Sequence, residues 1–183
     1  MKIGVFSDTH NHVLEAKRVL NIFEAHGVEH LIHCGDVGED VLDLIRVACL
    51  EHHWQAHVAV GNTDLNTTWQ FLPSPVEITR GRFLECEADG RRMAILHGDD
   101  VSRFFWTIGN GGYDFVLCGH THAPEDRTEG TTRVLNPGSA ARPRSAPATA
   151  AILDSATGEF TLLTFPLNAP LPTHEKSQKT GGG

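Results

Sequence analysis

Apolar residues fall in short runs along most of the chain, and run after run stops at a residue able to bind a metal. Residues 2–7 lead into Asp8 and His10, 30–35 into Asp36, 58–61 into Asn62, 93–96 into His97, and 115–119 into His120 and His122. Apolar runs of this length, closed by small or polar residues, predict buried strands that end in loops. Between the first three runs the spacing turns helical. Ala16, Val19, Leu20 and Phe23 form one apolar face between Asn11, the expected cap, and Gly27, so a helix is predicted to about residue 25. Val41, Leu44, Ile45, Ala48 and Cys49 predict a second helix over about 39–51. Strand–helix alternation of this kind implies parallel pairing with crossover helices.

The second half reads differently. Residues 83–88 and 92–96 flank Asp89-Gly90-Arg91, in which Asp-Gly signals a hairpin turn. A helix is expected over about 101–108, stopped by Gly109-Asn110-Gly111-Gly112, then strands at 115–118, 132–135, 149–153 and 159–165, with Ala156-Thr157-Gly158 turning the last pair. A parallel-rich half followed by an antiparallel-rich half predicts an α/β fold of two packed mixed β-sheets flanked by helices. Residues 1–166 are read as one domain, and the Pro-, polar- and Gly-rich 167–183 as a disordered tail.

Composition narrows the function classes. A formal net charge of -8 weighs against nucleic acid and anionic membrane as partners. No stretch is long and apolar enough for a membrane span, and the first apolar run is too short for a signal-peptide core. Cys34, Cys49, Cys86 and Cys118 form no C-x-x-C pair and are read as free thiols, which favours a cytoplasmic location.

The strand-end residues carry the chemistry. In open α/β sheets ligands gather at the carboxyl ends of strands, so these side chains converge on one pocket. Asp8-Thr9-His10 and His120-Thr121-His122 each set two donors two residues apart, on one side of an extended segment. The set is oxygen and nitrogen without thiolate, which suits Mn, Fe, Zn, Ni or Co better than a soft metal, and Mg less well with so many imidazoles. It holds too many ligands for one closed site, whereas two divalent ions would keep open positions and clamp a phosphoryl group for in-line displacement. Singly, a D-x-H or a G-N-x-D is more often a turn; the ordered set at the ends of apolar runs is what points to a metal centre.

The ordered blocks Asp8-Thr9-His10, Gly35-Asp36, Gly61-Asn62-Thr63-Asp64, His97-Gly98 and Gly119-His120-Thr121-His122 resemble those of the calcineurin-like metallophosphoesterase superfamily. The match spans residues 1–165 and is nearest to the small phosphodiesterases of the YfcE/MJ0936 type, whose segment past the last histidines is similar to Leu135-Asn136-Pro137-Gly138-Ser139 with Pro143-Arg144. The resemblance implies a four-layer sandwich and a role for each residue. Asp8, His10 and His122 would bind a first metal, Asp36 would bridge, and Asn62, His97 and His120 would bind a second. Catalysis would rest on Asp36, Asn62 and His97 supporting a metal-bridging hydroxide, with Mn the leading metal.

Many superfamily phosphatases carry His where this chain has Thr63, and a threonine hydroxyl is far too weak an acid to protonate a leaving group. That favours a phosphodiesterase acting on a small phosphoester. A protein-interaction scaffold, as in the retromer subunit that resembles this family, and a phosphomonoesterase or nuclease are the alternatives. Asp64 is expected to form the loop or orient a histidine. Arg142 and Arg144 are candidates to hold a substrate phosphate. Trp69, Phe71, Phe104, Phe105 and Trp106 are read as core or subunit-contact residues, with the pocket mouth as the alternative, which leaves a homo-oligomer open. His12, His52, His53 and His57 lie outside the strand-end pattern.

Overall fold

The computed structural model describes residues 1–65, 77–144 and 147–168. Strands β1 (Lys2–Phe6), β2 (His30–His33) and β3 (Gln55–Ala59) pair in parallel, joined by helices α1 (Val13–Ala25) and α2 (Glu39–His52), as the alternating pattern predicts. Strand β4 (Ile78–Gly81) adds a further parallel edge. Strands β5 (Phe83–Ala88) and β6 (Arg91–Leu96) form the expected hairpin, with Asp89 at φ 51° and Gly90 at φ 73°, the left-handed pair a two-residue turn requires. Helix α3 (Val101–Asn110) follows, capped by the Asp100 side chain on the Arg103 N–H, and continues through Gly109 and Asn110 before stopping at Gly111. Strands β7 (Phe115–Leu117), β8 (Pro124–Glu129), β9 (Thr132–Pro137), β10 (Ala148–Asp154) and β11 (Phe160–Phe165) complete the chain.

The two sheets do not divide the chain into halves. One runs β11-β10-β1-β2-β3-β4 and the other β5-β6-β7-β9-β8. The last hairpin thus returns to the first sheet, antiparallel to β1, while β6, β7 and β9 are parallel within the second. Side-chain alternation builds the layers. Phe6, Leu31, Val58 and Ile152 point out of the first sheet to meet Val19, Phe23, Val41 and Ile45 of α1 and α2. On the opposite face Ile3, Val5, Ile32 and Leu153 interlock with Met93, Ile95, Leu117 and Leu135 of the second sheet. Leu96, Val116 and Val134 face outward again, against Ile108 of α3 and Tyr113. Helices, sheet, sheet and helix give the four expected layers.

Two strands escaped the hydrophobic pattern. β4 is four residues long and half-buried at best. β8 reads Pro-Glu-Asp-Arg-Thr-Glu and lies at a sheet edge, where charge rather than apolar burial suits the position; Arg133 on β9 holds it through Asp126 at 2.6 Å. Asn11 is not the cap of α1. The N-cap position falls to His12, without a side-chain bond. The Asn11 N–H donates instead to the Val37 carbonyl at 3.0 Å, which carries its side chain across to α2. There its Oδ1 accepts from the Asp40 N–H at 2.8 Å and caps a helix whose own N-cap is Gly38. The cysteines are free, as expected. Of the segment read as a tail, only Leu167 and Asn168 lie within the described residues, and Trp69 and Phe71 lie outside them. Among the described residues no helix is long and apolar enough to cross a membrane.

Candidate metal centre

β1, β2, β6 and β7 all end at the same edge of the sandwich, and the residues after them turn inward through unusual backbone. Asp8, His10, Asp36, His120 and His122 all have positive φ, between 44° and 68°. Such conformations are uncommon outside glycine and persist where the surroundings over-determine them. Neighbouring glycines make the turns fit. A Cβ on Gly61 would lie 2.1 Å from Asp36 Oδ1, and one on Gly119 would lie 2.0 Å from Ser7 Oγ and 2.8 Å from Asp8 Oδ2.

The turns bring donor atoms together in two groups that share Asp8: Asp8, His10 and His122, and Asp8, Asp36 and His97, each with its ligand atoms within 4.8 Å of one another. His122 Nε2 lies 3.2 Å from Asp8 Oδ1 and 3.2 Å from His10 Nε2. Asp36 stands between the groups, Oδ2 at 3.9 Å from His10 Nδ1 and Oδ1 at 3.4 Å from His97 Nε2. The His120 ring packs 5.1 Å from that of His97, and the His120 N–H donates to Asp8 Oδ2 at 3.2 Å. Asn62 is exposed at the rim, between Gly61 and Thr63.

The donor set fits divalent cations on the evidence of its own hydrogen bonds. His97 Nδ1 lies 2.8 Å from the Cys34 carbonyl and His122 Nδ1 2.6 Å from the Arg142 carbonyl. A carbonyl only accepts, so both rings carry their proton on Nδ1 and turn an Nε2 lone pair into the site. Asp8 Oδ1 and His97 Nε2 are buried with no hydrogen-bond partner. Acceptor atoms facing one another without a donor are unfavourable unless a cation lies between them.

Electrostatics follow the same division. Burial raises the Asp8 carboxyl, against the Ser7 hydroxyl and the His97 and His122 charges. Burial acts on Asp36 in the same direction, yet His97 and the Thr63 N–H at 2.9 Å outweigh it and hold that carboxyl well below the usual range. His10 is lowered, by burial first, although Asp36 and Asp8 oppose it. Burial also disfavours charged His97, but Asp36 and Asp8 win and it is raised.

Side chains that the metal pattern did not single out tie the ligand loops to one another. Asp64 forms the loop, as expected, and among the described residues it bonds no histidine. Its carboxylate accepts from the N–H groups of Val37 at 3.0 Å, Gly38 at 3.2 Å and Gly61 at 3.0 Å, clamping the Asp36 loop to the Asn62 loop. Arg82 spans the next gap, Nη1 to the Val60 carbonyl at 3.1 Å and Nη2 to Asp99 at 2.8 Å. Asn136 donates to the Gly119 carbonyl at 2.8 Å, and the Ser139 hydroxyl donates to the Asp8 carbonyl at 2.9 Å. The Asn-Pro-Gly-Ser segment thus acts by holding the strand-end loops. His33 lies buried beneath them. Its Nδ1 accepts from the Gly35 N–H at 3.2 Å, and its Nε2–H donates to Thr9 Oγ1 at 2.9 Å, which in turn donates to the Val37 carbonyl.

Arg142 and Arg144 are both exposed. The Arg142 charge reaches His10 and opposes its protonation, while the Arg144 N–H donates to the His122 carbonyl at 3.3 Å. Of the histidines outside the pattern, His12 is exposed, His52 stacks on Trp54, and His57 Nδ1 pairs with His30 Nε2 at 2.8 Å.

The chain is 31% identical over 165 residues to phosphodiesterase MJ0936 of Methanocaldococcus jannaschii, an alignment covering 87% of this chain and 96% of that protein. A solved archaeal phosphodiesterase superposes with a TM-score of 0.75 at 28% identity, over 90% of this chain and all of the other. The YfcE phosphoesterase of E. coli superposes at 0.64 with 22% identity (89% and 98% covered), and zinc-complexed Vps29 of Entamoeba histolytica at 0.62 with 19% identity (90% and 91% covered); these two likenesses establish the fold alone. The model of the calcineurin-like phosphoesterase superfamily domain matches residues 1–158, and the chain belongs to that superfamily.

Proposed function

We propose that this phosphoesterase is a phosphodiesterase that works with two divalent ions held side by side at the strand ends. The observation that carries the reading is the pair of donor groups sharing Asp8, with Asp8 Oδ1 and His97 Nε2 buried and unpartnered. Asp8, His10 and His122 would hold one ion, and Asn62, His97 and His120 the other, with Asp36 between them. Two divalent ions at such a centre polarise phosphoryl oxygens and activate water as the nucleophile, most naturally Mn here, with Fe, Zn, Ni, Co and Mg as substitutes.

The chain's own residues supply the rest. Asp36 faces both groups, and the Thr63 N–H donates to its Oδ1 at 2.9 Å. The Cys34 and Arg142 carbonyls fix the tautomers of His97 and His122, so that neither ring must reorganise on binding a cation. Arg142, whose charge opposes protonation of His10, would offset charge on a phosphoryl oxygen. Residue 63 contributes its backbone N–H rather than an acid. Substrates with stable leaving groups are therefore favoured, in keeping with the relatives named phosphodiesterase.

The reading is tested on purified protein with bis(p-nitrophenyl) phosphate and Mn. Turnover is expected, with loss in chelator and in Asp36→Ala. Undiminished turnover in Asp36→Ala, with metal content shown to be nil, refutes the mechanism. A metal-free protein without turnover on any ester favours the interaction-scaffold alternative.

A further inference from the structure

A cavity opens beside His97. It is lined by Arg82, His97, Gly98, Asp99, Asp100 and Arg103, at the junction of β6 with α3. His97 is thus common to the cavity and the candidate centre. The charges in this cavity are not equivalent. Arg82 is spent on Asp99, at 2.8 Å, and on the Val60 carbonyl, at 3.1 Å. The Asp100 carboxylate accepts from the Arg103 N–H at 3.0 Å and faces the amino end of α3, whose dipole offsets it. That leaves the Arg103 guanidinium. Among the described residues no carboxylate forms an ion pair with it, and it rests over the Phe83 ring, 4.9 Å from the centroid. Stacking of this kind orients a guanidinium while leaving its N–H edge free for a bidentate acceptor.

A centre built to hold one phosphoryl group thus has a pre-set cation next to it, beyond the metal ligands. We propose that the cavity beside His97 binds a second phosphate carried on one ester arm of the substrate, through Arg103. The preferred substrates are then diesters that bear a further phosphate, such as nucleotide diesters with a terminal phosphate, rather than diesters with uncharged arms. The inference rests on the phosphodiesterase reading above.

A pair of esters differing in one phosphate tests it: the p-nitrophenyl ester of thymidine 5′-phosphate with and without a 3′-phosphate. Water cleaves the phosphorus–oxygen bond of either ester to release p-nitrophenolate and leave the nucleotide. Mn-loaded protein is expected to favour the 3′-phosphorylated ester by about tenfold in kcat/KM, chiefly through KM, the factor that one exposed charge-assisted contact supplies. Arg103→Ala should bring the ratio to about one, and Arg103→Lys should keep part of it. A ratio of one in the unmodified protein, or an unchanged ratio in Arg103→Ala, overturns the proposal while leaving the phosphodiesterase reading intact. Calorimetric binding of thymidine 3′,5′-bisphosphate against thymidine 5′-phosphate separates the two ideas. An Arg103-dependent preference for the bisphosphate, with neither ester hydrolysed, sustains the pocket and refutes the phosphodiesterase reading. No preference and no hydrolysis refutes both.

Discussion

Replacing Asp64 by Asn exchanges one oxygen for an NH2 group at a residue that is 1% exposed. The carboxylate accepts at Oδ1 from Val37 at 3.0 Å and Gly38 at 3.2 Å, and at Oδ2 from Gly61 at 3.0 Å and Val37 at 3.2 Å. An amide has only one oxygen. With it at the first position, the Gly61 N–H faces an NH2 group; with it at the second, the Gly38 N–H does. Either way one buried or half-buried N–H is stranded, at about 1–3 kcal/mol, and the surviving bonds change from a charged to a neutral acceptor, at about 1 kcal/mol each. The expected destabilisation is about 3–5 kcal/mol. Urea unfolding in chelator measures it without a contribution from bound metal. Asp43→Asn on α2, where the side chain is 69% exposed, is the control and should change stability by under ~0.5 kcal/mol. Because the clamp joins the Asp36 and Asn62 loops, Mn affinity should fall as well. A loss of stability below about 1 kcal/mol for Asp64→Asn would refute the clamp.

Gly61→Ala places a methyl 2.1 Å from Asp36 Oδ1 and 2.4 Å from the Asp36 nitrogen; elemental analysis should show metal retention reduced at least ~10-fold, whereas Gly109→Ala, with nothing within 4 Å, should retain it. Asn11→Ala removes the cap of α2 and should lower the urea midpoint by an amount equivalent to about 1 kcal/mol, with α1 unaffected. Acid should destabilise the fold through His33, whose pKa burial depresses from 6.5 to about 3. The unfolded chain takes up this proton first, so the contribution is complete above the unfolded value and is lost as pH falls through 6.5 towards 3, by up to ~1.4 kcal/mol per pH unit. His33→Gln should flatten that slope in urea titrations run in chelator, and an unchanged slope would assign the acid sensitivity elsewhere.

What the sequence made legible follows from period and position. The strands that lead to the candidate ligands are buried on both faces, so β1, β2, β6 and β7 appear as apolar runs, and the loops bearing those residues begin where the runs stop. α1 and α2 show their buried stripe directly, as Ala16-Val19-Leu20-Phe23 and Val41-Ile45-Ala48-Cys49. β8 gave no such signal, because an edge strand with alternating Glu, Arg and Glu buries almost no apolar surface. Asn11 misled because a polar residue before a helical stripe is the usual sign of a local cap. The bond it makes, to a helix 29 residues further on, depends on a backbone turn that no local pattern encodes. Asp64 forms its loop as expected; the ties made by Arg82, Asn136 and Ser139 were hidden for the same reason. Each bonds backbone groups, and backbone groups leave no trace in residue type.

The left-handed backbone at Asp8, His10, Asp36, His120 and His122 connects these observations. A residue with a Cβ in that region is less stable than in the right-handed or extended regions by about 1 kcal/mol, somewhat less for Asp. Each turn would relax if its loop were free. None is free: Asp64 fixes the segment after Asp36, Ser139 the Asp8 carbonyl, Asn136 the Gly119 carbonyl ahead of His120, and the Arg142 carbonyl the ring of His122. The strain and the ties are two sides of one arrangement, in which the loops are held so that anionic and lone-pair atoms converge. Such convergence is unfavourable by itself, as the unpartnered Asp8 Oδ1 and His97 Nε2 show. Divalent ions should therefore raise the unfolding midpoint well beyond what a surface ion would, and cutting a tie such as Asp64 should diminish that increment along with the stability of the metal-free protein.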